Sequence, residues 1–205
     1  MDKFKSMTEL KELTKEGKDW EIECENCSSM VTILAIHGGG IEPATTELAY
    51  TIAHRGNYNY FSFKGMRSEG NNELHVTSTH YDDQIALDLV RGSQRTVAIH
   101  GCEGNESVAY IGGSDDRLIE LITESLEDIG ISVREAPHHI SGTQENNIVN
   151  MTQTQGGVQL ELTAQLRKEL FKNRKSSRKN RENKDNWDDL MYDFADAMKK
   201  AIERA

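Results

Sequence analysis

Residues 31–49 read VTILAIHGGGIEPATTELA. The run from Val31 to Ile36 is largely apolar, rich in β-branched side chains, and ends at His37. A short apolar run closed by glycines predicts a buried central strand rather than a helix. Three glycines, Glu42 and Pro43 follow, and then the helical pattern ATTELAYTIAHR. Pro43 suits the first turn of that helix.

The same grammar recurs along the chain. RTVAIHGC repeats an apolar strand that ends in His100 and Gly101, and ESVAYIGG, ISVREA and GGVQLELT read as further strands. YNYFSFKG alternates aromatics, ELHVTSTHYDD alternates Leu74, Val76 and Ser78, and WEIEC suits an edge strand. Helices are predicted over DQIALDLVRG, closed by Gly92, over RLIELITESLEDIG with Gly130 at its C-cap, and briefly over AQLRKELF. Residues 4–16 space Phe4, Met7, Leu10 and Leu13 by three, as an amphipathic helix does. In DNWDDLMYDFADAMKKAIERA, Trp187, Leu190, Met191, Phe194, Met198 and Ile202 share a face, and Asp185 is placed to cap. Strands thus alternate with helices over residues 30–170. The expected fold is one three-layer α/β/α domain over 1–205 with a mixed, largely parallel sheet, a basic loop at 172–184 and a final helix on the sheet.

At 205 residues, with 36% hydrophobic and 28% charged residues, the chain suits one globular core. No apolar stretch is long enough for a transmembrane helix, and the charged N-terminus lacks a Sec signal. The expectation is a cytoplasmic monomer, released on lysis if phage-derived. The net charge of −10 argues against nucleic acid as a partner, although residues 172–184 hold a local +6 that leaves −16 elsewhere. That run lacks interleaved aromatics. Cys24 and Cys27 form a lone C-x-x-C, and with Cys102 make an odd number; a structural role is expected for the pair.

In α/β sheets the functional crevice lies at the carboxyl ends of the strands. Predicted strands here end at His37, His80 and His100, and another reaches Glu161. His37 and Glu42 are five apart, a spacing that needs a loop rather than a helix to bring them together. Glycines permit such a loop. With His100 from a neighbouring strand, the set is two histidines and one glutamate with a fourth position for water, the pattern of a catalytic zinc. Phosphate binding on the glycine loop is the alternative, but the G-x-x-x-x-G-K pattern is missing and Glu42 would repel an anion. Glu161, on one face of its strand with Gln159, is the candidate general base.

The segments IHGGGIEPATTELA, LHVTSTHYDD, VAIHGCEG, VAYIGG, NIVN and GVQLELTAQLR occur in this order. In that order they resemble the phage-encoded poly-γ-glutamate hydrolases, a group related to the zinc carboxypeptidases, over roughly residues 4–170. The resemblance implies a carboxypeptidase-like α/β fold, one zinc ion, and cleavage of γ-glutamyl amide bonds. It implies His37, Glu42 and His100 as ligands and Glu161 as base. The chain departs from the family in MTQTQGG after Asn150, where related chains carry an arginine, and in the basic run. A substrate with a carboxylate on every residue calls for cations near the cleft. Arg167, Arg55, Lys64 and Arg117 are the candidates, with His80 as a substrate contact or an alternative third ligand. The readings that compete are another zinc amidohydrolase or peptidase, and a non-enzymatic phage replication or nucleic-acid-binding protein.

Overall fold

The computed structural model describes residues 2–205. In chain order the elements are α1 (Met7–Leu13), β1 (Trp20–Glu25), β2 (Val31–Gly39), α2 (Thr45–Gly56), β3 (Asn59–Gly65), α3 (Gln84–Arg91) and β4 (Arg95–Cys102). Then come β5 (Val108–Gly113), α4 (Asp116–Asp128), β6 (Ser132–Glu135), β7 (Val158–Thr163), α5 (Ala164–Glu169), α6 (Arg178–Arg181) and α7 (Asp189–Glu203).

The strands form one sheet in the order β1-β3-β2-β4-β7-β5-β6. β3, β2, β4 and β7 run parallel, and β6 is parallel to β5. The edge strand β1 and the β5–β7 pair are antiparallel. The mixed, largely parallel sheet is the one expected.

The apolar runs are continuous because both faces are covered. On β2, Ile33 and Ala35 join a core with Leu48 and Ile52 of α2, Leu121 and Ile122 of α4, and Phe194 and Met198 of α7. Leu34 and Ile36 face the other way, onto Met7 and Leu10 of α1 and Val90 of α3. The C-terminal helix therefore packs where its stripe predicts, although Asp188 rather than Asp185 caps it.

Two predicted elements differ. ELHVTSTHYDD forms two 3₁₀ turns, Asn71–Leu74 and Ser78–His80, and no strand. β3 already has β1 and β2 on its two sides, so no ladder position is left beside it. The segment instead closes one face with Leu74 and Val76, both buried.

The basic run is a strap of short helical turns rather than a loop. Arg181 is buried in it, pairs with Glu47 at 3.2 Å, and donates to Gly39 O at 3.0 Å. Its own carbonyl accepts from the Trp187 indole at 2.7 Å.

Candidate metal centre and active site

β2 delivers His37 to the carboxyl rim of the sheet, and the glycines then turn the chain back. Gly39 has φ +64°, and a Cβ there would stand 2.6 Å from Gly65 O. A Cβ on Gly38 would collide with the Thr46 and Ser62 hydroxyls. Only a chain without side chains turns this tightly against β3. The Glu42 N–H closes the turn by donating to His37 O at 2.8 Å.

His37 Nδ1 consequently lies 3.1 Å from Glu42 Oε1 and 3.1 Å from His100 Nδ1, with His100 Nδ1 3.6 Å from Glu42 Oε2. Among the described residues this is the one cluster of three or more metal-ligating side chains. His37 Nε2 donates to Val76 O at 2.8 Å, which turns the ring so that Nδ1 faces the centre. Glu42 Oε2 accepts from Gly101 N–H at 2.8 Å. His100 Nε2 is buried with no partner.

Glu161 sits beside His100 in the β4–β7 register, and the Gln159 amide donates to its Oε1 at 2.9 Å. Gln159 and Glu161 do share a face, as the alternation predicts.

The charges are strongly coupled. Burial would raise the Glu42 carboxyl, but the charges and contacts of His37 and His100 outweigh it and hold the group far below the usual range. Burial would lower the His100 pKa, yet Glu42 and Glu161 raise it. Burial pushes Glu161 up to about 7, against the pull of His100. One carboxylate is thus held ionised and the other poised near neutrality, the separation that acid–base chemistry uses.

The structure also brings in a residue that sequence reasoning passed over. The His75 ring lies 3.9 Å, centroid to centroid, from His37. Its Nε2 is 3.9 Å from Glu42 Oε1, and its Nδ1 contacts Asp2 Oδ1 at 2.8 Å. Asp2 in turn accepts from Thr77 N–H at 2.7 Å. The available signal was a histidine inside LHVTSTH, masked by assigning that segment to a strand that ends at His80.

The other candidates are placed differently. His80 is exposed in its 3₁₀ turn and lies outside the metal-ligating group, so the alternative third ligand is set aside. Arg55, at the end of α2, pairs with Asp196 and covers the Tyr192 ring. Arg117, in the first turn of α4, lies near Glu120. Both helices place these arginines at the rim opposite His37 and His100, because α2 runs back along β2 and β5 is antiparallel to β7. They do not reach the cluster. Lys64 pairs with Glu23 at 2.6 Å. It lines a cavity of about 550 Å³ with Gly39, Gly40, Arg178 and Lys184, and His37, Glu42, His100 and Glu161 take no part in that cavity. The Arg167 guanidinium is buried and directed to backbone carbonyls. Cys24 and Cys27 are exposed free thiols.

A mixed α/β sheet with a His–Glu–His group and a second buried carboxylate on one rim has the makings of a hydrolase centre able to hold a metal ion. The chain belongs to the poly-gamma-glutamate hydrolase family, whose sequence pattern matches residues 4–197. It is similar to the SPbeta prophage-derived UPF0714 protein YoqZ of Bacillus subtilis (strain 168), 37% identical over 172 residues. That alignment covers 83% of this chain and 62% of YoqZ, so the chain spans less than two thirds of that relative. The solved structure of a bacteriophage poly-gamma-glutamate hydrolase matches with a TM-score of 0.95 at 30% identity, covering 100% of this chain and 98% of that one. A zinc-free apo structure of YndL matches with a TM-score of 0.92 at 30% identity, covering 99% and 98%. No described helix is long and apolar enough to cross a membrane.

Proposed function

We propose that this chain hydrolyses γ-glutamyl amide bonds of poly-γ-glutamate, with zinc held by His37, Glu42 and His100 and with Glu161 as general base. The observation that carries the reading is the convergence of three donor atoms at separations of 3.1, 3.1 and 3.6 Å beside a buried carboxylate. Ligands about 2.0–2.1 Å from a tetrahedral zinc are about 3.3 Å apart, so the donor set fits. Two imidazole Nδ1 atoms facing each other also need a shared cation or a proton between them. Family membership and the zinc-free state of the YndL structure support the same choice.

Zinc, when bound, supplies Lewis acidity toward the amide carbonyl and toward water. Glu161 takes the proton from the attacking water and returns it to the departing amide nitrogen. Burial equips it for both steps by bringing its pKa close to neutrality. The Gln159 amide anchors this carboxylate on the strand next to His100. His75, whose Nδ1–H donates to Asp2 Oδ1, packs against the His37 ring and helps hold that imidazole in place.

The test is incubation of the purified chain with poly-γ-glutamate, with and without a chelator, read by product size and zinc content. About one zinc per chain and chelator-sensitive shortening of the polymer are expected. Cleavage that persists after complete zinc removal would sink the zinc reading, and an intact polymer with zinc bound would sink the substrate assignment.

A further inference from the structure

Two parallel strands carry the histidines of the centre, yet their pairing stops short of it. The β2–β4 register ends at Leu34↔Ala98, before His37 and before His100. No backbone ladder between these strands therefore sets the distance from the His37–Glu42 turn to His100. On the far side of β4 the β4–β7 ladder continues through His100↔Glu161 to Cys102↔Thr163.

Arg167 spans the gap. Its Nη1 donates to Pro43 O at 2.9 Å, its Nη2 to Cys102 O at 3.0 Å, and its Nε to Leu162 O at 3.1 Å. Each acceptor adjoins the centre in sequence. Pro43 follows Glu42, Leu162 follows Glu161, and Cys102 lies two residues past His100. Gly101, between His100 and Cys102, gives its N–H to Glu42 Oε2. A Cβ on Gly101 would stand 2.7 Å from Arg167 Cζ and Nε, so a glycine here leaves the guanidinium its place. Among the described residues no carboxylate pairs with Arg167, and it is 8% exposed. Three of its N–H donors end on backbone oxygens.

We propose that Arg167 is a positioning residue that ties the Glu42–Pro43 turn to the ends of β4 and β7, and thereby sets the separation of the zinc ligands. The proposal rests on the zinc reading above. A planar fork with several donors in fixed directions can hold three carbonyls at once, whereas a lysine ammonium is a point charge on a flexible stem. Hydrogen bonds from a charged donor in a dry setting are the strong ones. Beyond Leu34↔Ala98 no backbone pairing joins β2 to β4, and the guanidinium links the turn after β2 to the end of β4 instead. Its role as a substrate clamp, expected from its charge, gives way to one behind the centre.

The experiment compares Arg167→Lys and Gly101→Ala with the parent chain. Zinc affinity is measured by competition with a chromophoric chelator, together with kcat and KM on poly-γ-glutamate and thermal unfolding of the metal-free chains. Zinc affinity should weaken roughly tenfold or more in both variants, as losses of ligand-orienting groups do. kcat should fall with it at saturating polymer, while KM stays within about twofold. A raised KM with parental zinc affinity would overturn the proposal, since the guanidinium would then contact substrate carboxylates. Parental zinc affinity with only a lowered melting temperature would overturn it too, as would unfolding of both chains. Absence of zinc binding by the parent itself would instead overturn the zinc reading, before any variant is compared.

Discussion

His100 and Glu161 are register partners on adjacent parallel strands, β4 and β7, and lie side by side on one face of the sheet. The pairing places a candidate zinc ligand next to the candidate base with no loop between them. Their relative position is therefore as rigid as the ladder that holds the strands, which suits a centre where small displacements cost rate.

His100→Ala should abolish zinc binding, because two donors remain and the third is lost. The backbone ladder around residue 100 does not depend on the imidazole, so the circular dichroism spectrum should stay that of the parent. Metal analysis after dialysis is the measurement, and a full zinc complement in the variant would remove His100 from the ligand set.

Glu161→Gln keeps the shape of the side chain and removes its basicity. Zinc should remain bound while kcat falls roughly 10²-fold or more. Parental turnover would reduce Glu161 to a buried strand carboxylate without a catalytic role.

The same substitution has a signature in the metal-free chain. Glu161 is raised from 4.5 to about 7, chiefly by burial. A carboxyl raised on folding contributes stability that is fully present below the unfolded value and is lost as pH rises through the folded one. The parent should therefore lose stability between about pH 4.5 and 7 from this group, by roughly 3 kcal/mol. Glu161→Gln removes that loss, so urea unfolding should show the variant gaining on the parent as pH rises across this window. A difference independent of pH would mean that the carboxyl is not displaced.

Arg181 and Glu47 form a buried pair that anchors the basic strap to α2. Arg181→Met should destabilise the chain by about 3 kcal/mol, because it strands a buried carboxylate. Adding Glu47→Gln should recover much of that loss. An additive double variant in denaturant titrations would show that the two side chains act independently.

Of the exposed cations of the strap, Lys172 donates to Asp185 O, Arg174 to Glu169, Arg178 to Glu182 and Met66 O, and Lys184 to Tyr50, which leaves Lys175 and Lys179 for steering. Replacing both lysines with serine should lower kcat/KM on long polymer at low salt and flatten its salt dependence, because screening acts over about 10 Å at 0.1 M. Rate measurements across a salt series check it, with short oligomers as the insensitive control. An unchanged salt profile would leave the strap with a purely structural role.

The central strands and the core of the site were legible because their causes are local. β2 and β4 are covered on both faces, so their apolar runs are nearly continuous, while β7 alternates Val158, Leu160 and Leu162 with Gln159 and Glu161. His37, Glu42, His100 and Glu161 follow from where those runs end and from a glycine turn that can only double back. What lay beyond the sequence depends on segments far apart in the chain. ELHVTSTHYDD has a strand's alternation, but whether it pairs depends on which strands already flank β3, and so His75 went unassigned. The positive charge of Arg55 and Arg117 carries no information about which rim of the sheet a helix will present. Arg181 reads as one cation in a solvated run until α2 supplies Glu47 134 residues away. Arg167 reads as a substrate clamp until three carbonyls, from a turn and two strand ends, converge on it. A residue's type and spacing determine what it can do, and the tertiary structure decides which partners are within reach.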